Sequence, residues 1–134
     1  MENLTIEQVL AIHAGIGAAS DTRLVSEAGL HQMVFQVNLL TDPFRRAAFV
    51  IFSLVAYPVF REENKQTAFA VADLVLAAKG YRLAAELVRI QAIIDGIETY
   101  SIEPEDIEEW ISRNVRKNGI SAHWEREMFH GQAP

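Results

Sequence analysis

The sequence predicts a compact, all-α bundle of about six or seven helices packed around two buried central ones. Segments 44–57 and 67–78 are apolar nearly all round, a pattern that suits helices in the middle of a protein. Residues that cap helices stand at the head of several helical stretches. No segment alternates apolar and polar residues over the length of a strand.

Taken in order, the first helix is expected from Thr5 to about Ala18. Thr5 with Gln8 forms a capping box, and Leu4 and Val9 stand at the staple positions. Residues 20–25 are polar and read as a loop. A second helix is expected over Ser26–Leu39. Asp42 and Pro43 then supply an N-cap and a first-turn proline for a helix over Phe44–Tyr57. Pro58 disfavours the helical conformation at Tyr57 and ends that helix. The polar residues 61–66 interrupt the apolar pattern before a helix over Thr67–Ala78, which Lys79 and Gly80 stop. From Leu83, the apolar positions Leu87, Ile90, Ile94 and Ile97 step by four and three, which predicts an amphipathic helix. Pro104 opens a further helix to Lys117, closed by Asn118 and Gly119. A last short helix after Ser121 would place Trp124 and Met128 on one face.

The chain of 134 residues fits one domain, 1–134, with no repeat or linker. Half of it is apolar and its charged fraction is ordinary, so it has the material for a core. It has no cysteine, which excludes disulfides, thiolate metal sites and a cysteine nucleophile, and fits a cytoplasmic compartment. A net charge of −6 disfavours nucleic acid as a partner, because phosphate binding draws on clustered Lys and Arg. Acids between Glu98 and Glu109 precede Arg113, Arg116 and Lys117. That order suits the dipole of a solvated helix, and it would also suit a basic partner. Glu2 and Glu7 occupy the region where a signal peptide would be basic. The most apolar run, 47–60, is shorter than the ~20 residues a membrane span needs, so no membrane partner is expected.

The segment that carries chemistry is Pro58-Val59-Phe60-Arg61-Glu62-Glu63-Asn64-Lys65-Gln66-Thr67-Ala68, between the two most apolar helices. If the second helix begins at or near Asn64, its first N–H groups face an anion. Lys65 adds a point charge suited to a phosphate, and Glu62 is a hard oxygen donor suited to Mg²⁺. Spacing alone fits a plainer role equally: asparagine is a common N-cap, and acids ahead of a helix suit its dipole.

This segment resembles the signature of the Fic/Doc family, His-x-Phe-x-(Asp/Glu)-Gly-Asn-(Lys/Gly)-Arg, often followed by Thr-Ala in Doc-like members. Phe60, Glu62, Asn64, Lys65, Thr67 and Ala68 match it. The likeness extends to Leu4–His13, Arg46–Tyr57, Lys79-Gly80-Tyr81 and Ile94–Trp110, nearly the whole chain in order. It implies a Doc-like toxin-type protein that moves phosphate or AMP from ATP, or another nucleoside triphosphate with Mg, onto a protein hydroxyl. It implies a target in the translation machinery and an antitoxin as partner. Glu63, Asn64, Lys65 and Gln66 would then meet the nucleotide, and Glu62 the metal. No inhibitory Ser/Thr-x-x-x-Glu-(Gly/Asn) segment is present, as in Doc-like members restrained by a separate antitoxin.

The chain departs from the signature at three places. Pro58 replaces the histidine that serves as general base, and loss of a base costs ~10²–10⁴ in rate. Gln66 replaces the arginine, removing an always charged phosphate fork. Glu63 replaces the glycine and adds bulk and negative charge. These losses imply a second role, a non-catalytic Fic/Doc pseudoenzyme that binds a nucleotide or a partner protein. His13, His31, His123 and His130 are the chain's histidines, and His13 is the first candidate for a replacement base. Phe60 is expected to anchor the loop, and Thr67 to be a first-turn residue without a catalytic role.

Overall fold

The computed structural model describes residues 3–16 and 23–117. In chain order these form α1 (Ile6–Ala14), α2 (Glu27–Leu39), α3 (Pro43–Ala56), α4 (Asn64–Ala77), β1 (Tyr81–Leu83), α5 (Leu87–Glu98), α6 (Pro104–Arg113) and β2 (Val115–Lys117). The architecture is a helical bundle with one small two-stranded ribbon.

Local chemistry sets the helix starts. Thr5 accepts from Gln8 N while the Gln8 side chain accepts from Thr5 N, and both staple residues, Leu4 and Val9, are buried. Ser26 caps α2 through Gly29 N. Asp42 caps α3 through Phe44 N and Arg45 N, with Pro43 in the first turn. Tyr57, the residue before Pro58, leaves the helical region at φ −131 and ψ 77, and α3 stops there.

The two apolar helices take the central place the sequence assigned them. α3 packs most extensively on α4, and then on α6. Ile51 and Leu54 of α3 and Phe69 and Leu76 of α4 are among the largest fully buried side chains. The outer helices each lay one stripe on this pair: Leu30 and Val37 from α2, Ile90, Ile94 and Ile97 from α5, Ile107 and Ile111 from α6.

Four boundaries differ from expectation, and the first is that α4 begins at Asn64, inside the polar stretch, three residues ahead of Thr67. α1 ends at Ala14, with Gly15 at its C-cap, rather than near residue 18; positions 17 and 18 lie outside the described residues. Leu83 belongs to β1 and not to the amphipathic helix, which starts at Leu87. Asp73 is the cause: buried in α4, it accepts from Arg82 Nε (3.2 Å), Arg82 NH2 (3.0 Å) and Leu83 N (3.0 Å), and so draws the chain out straight. α6 ends at Arg113 rather than Lys117, because Val115–Lys117 pair antiparallel with Leu83–Tyr81. Strands of three residues are too short to show alternation. The helix expected after Ser121 lies outside the described residues.

Candidate functional site

The loop between α3 and α4 is held from three directions. Against its start lies the segment ahead of α2. Leu24 and Phe60 form an antiparallel bridge, Val25 N and Ser26 N donate to Val59 O at 2.7 and 3.3 Å, and Arg61 N donates to Arg23 O at 3.2 Å. Gly29 permits this closeness: a Cβ there would meet Ser26 Oγ at 2.8 Å and Val59 Cγ1 at 3.1 Å.

From the C-terminal side the loop is tied by Asn64. Its Oδ1 accepts from Val59 N (3.1 Å) and Phe60 N (3.0 Å), and its Nδ2 donates to Phe60 O (2.8 Å). The N-cap of α4 is Glu63, not Asn64, and Glu63 makes no side-chain cap bond. Thr67 is fully buried and donates from Oγ1 to Glu63 O at 2.6 Å, a structural first-turn role as the sequence led us to expect.

From beneath comes α1. His13 is 1 % exposed, and its ring stacks on Phe60 with centroids 3.6 Å apart and planes 5° from parallel. Its Nε2 lies 2.8 Å from Glu62 O. A carbonyl only accepts, so Nε2 carries the proton and donates it there. His13 therefore reaches the loop as an anchor to its backbone, on the buried side of Phe60. The contact spans 49 positions and joins α1 to the loop.

The other side of the loop opens on a cleft of about 300 Å³ lined by Val55, Pro58, Arg61, Glu62, Glu63, Asn64, Lys65, Gln66 and Glu98. The residues singled out in the sequence are thus brought together on one surface. Glu98, from the end of α5, was not foreseen there. It accepts from Lys65 Nζ at 3.0 Å, both side chains being nearly half exposed. Glu63 holds φ 67 and ψ 25, the left-handed region that glycine enters without cost and other L-residues rarely adopt.

The cleft's charges decide what it can hold. Glu62, Glu63 and Glu98 face it against Arg61 and Lys65, and Lys65 is already matched by Glu98. Gln66 brings no charge. Among the described residues no group of three or more His, Asp or Glu side chains is placed to hold a metal ion. Acids outnumber bases along this lining, and the one signature carboxylate, Glu62, stands at the exposed surface. Elsewhere, burial lowers the Arg46 guanidinium from its ordinary pKa, and its NH2 donates to Asn38 Oδ1 at 3.1 Å. No helix among the described residues is long and apolar enough to cross a membrane. No protein-family model matches this chain, and no curated protein matches it.

Proposed function

We propose that the chain is a Fic/Doc-like pseudoenzyme: a Doc-like scaffold that has lost transferase chemistry and acts by binding a partner protein, an antitoxin-like chain being the first candidate. The observation that carries this is the split of the signature between the two sides of the loop. Phe60, Asn64, Thr67 and Ala68, which match the family, are buried or bonded to backbone. Pro58, Glu63 and Gln66, which depart from it, all line the cleft where a nucleotide would react, beside the matching Glu62, Asn64 and Lys65. Proline has no proton acceptor, and among the described residues no imidazole lines the cleft in its stead.

A second reading, a Doc-like transferase acting on a hydroxyl in the translation machinery, draws support from the backbone. Glu63 keeps a glycine-like conformation, and an exposed ion pair such as Lys65–Glu98 contributes only ~0–1 kcal/mol, so a phosphate could displace it. Calorimetric titration of the pure chain with ATP and Mg²⁺ separates the two. The pseudoenzyme is expected to give no heat of binding at millimolar nucleotide. Saturable binding, with amide NMR shifts concentrated at residues 63–66, would contradict a scaffold that binds only a partner protein and would keep the transferase open to the transfer assay.

A further inference from the structure

We infer that the outer face of α2, with the groove beside it, is a self-association surface on which a second copy of this chain docks across a two-fold axis. A surface helix normally turns one apolar stripe inward and polar residues outward. α2 does not. Leu30, Met33, Val34 and Val37 are buried, yet Phe35 and Leu39, one turn apart on the opposite side, are 60 % and 62 % exposed. It has the pattern of a helix covered on both sides, and among the described residues α1 and α3 cover only one.

Beside this ridge runs a groove of about 360 Å³ between α2 and α3. Its floor is Met33, Phe49, Phe52 and Val59, and its rim on α2 is Gln32 and Gln36. Tyr57, 68 % exposed, stands at the groove's end, and Val25, 59 % exposed, adjoins Val59 through its backbone bond. A ridge and a groove side by side on one helix are what an isologous interface needs, since each copy offers both halves. Each Phe35 enters the other copy's groove.

Area and charge agree with this occupant. Phe35, Leu39, Tyr57 and Val25 leave roughly 400 Å² of side chain exposed, taking aromatic side chains at ~200 Å² each. A standard homodimer needs ~800 Å² per partner, about two thirds of it apolar, so the ridge with its groove comes close to supplying the apolar part. The chain carries −6, and most faces of two copies would repel. Around the groove no lining residue is acidic or basic. The only ionisable groups of α2 are Glu27 and His31, which face each other at 3.8 Å near its N-terminus. A two-fold axis near Phe35 sends the two Glu27 side chains to opposite ends.

Analytical ultracentrifugation of the full chain tests this. The wild type is expected at twice the 15.0 kDa of one chain. Phe35→Glu, and independently Leu39→Glu, are expected to weaken association about 100-fold or more, with circular dichroism and melting unchanged because both side chains already face solvent. Val88→Glu, at a 69 % exposed position on α5, should leave the dimer intact. A wild type of single mass at every concentration overturns the proposal and leaves this face to a different protein or to residues of this chain outside the described ones. A dimer that survives both glutamates, or that Val88→Glu dissolves, overturns it too.

Discussion

The two sides of the α3–α4 loop contrast in every physical respect. On the inner side, Phe60 is 1 % exposed, His13 stacks on it, and both backbone groups of Val59 and Phe60 and the carbonyl of Glu62 have partners within 3.3 Å. On the outer side, Pro58, Glu62 and Lys65 are exposed, and the ion pair of Lys65 with Glu98 is a half-solvated one. Buried, mutually satisfied groups are costly to change one at a time, whereas exposed ones are nearly free to drift. Of the residues that resemble the Fic/Doc signature, Phe60, Thr67 and Ala68 are buried, Asn64 ties the loop and also lines the cleft, and Glu62 and Lys65 face solvent.

Mutations across the loop sharpen or break that contrast. The largest effect is expected on the inner side. Asn64→Ala strands two N–H groups and one carbonyl, and should cost about 3 kcal/mol in urea unfolding. His13→Ala should follow at about 2 kcal/mol, for one hydrogen bond and one ring stack lost. A cost under ~0.5 kcal/mol for either would show that the loop does not depend on these ties.

Glu63→Gly should do the reverse and stabilise. Left-handed backbone costs an L-residue roughly 1–2 kcal/mol, and the extra chain entropy of glycine returns roughly half of that, leaving about 0.5–1 kcal/mol gained. Thermal melting would read this as a rise of a few degrees; a fall would mean that the Glu63 side chain itself holds the loop. The smallest effect belongs to the outer side. Lys65→Ala and Glu98→Gln should each change stability by less than ~0.5 kcal/mol, measured in the same urea titration.

Much of this division could be read in the residues beforehand, and some could not. The Thr5–Gln8 capping box and the Asp42–Pro43 pair located α1 and α3 because their signals are local. Apolar character all round located α3 and α4, and hence the loop between them. Asp73 reaching Arg82 and Leu83 was hidden, since a buried carboxylate in an apolar helix does not announce its partner. The two three-residue strands it sets up are below the length at which periodicity speaks. In the loop, spacing offered Asn64 as a cap or a ligand, while its side chain turns back to Val59 and Phe60. His13 drew attention as a base; the stack that makes it an anchor depends on α1 lying under the loop, which is a tertiary fact. Glu98 in the cleft was missed for the same reason.

The most direct test of the proposal that the loop is architecture without transfer chemistry is a transfer assay. Pure chain is incubated with a cell lysate and ATP labelled at the α- or γ-phosphate, alongside Lys65→Ala, which should fold like the wild type. The expected result is no transfer of either label above background by the wild type, and no difference from Lys65→Ala. Robust transfer by the wild type that Lys65→Ala abolishes would contradict the pseudoenzyme outright.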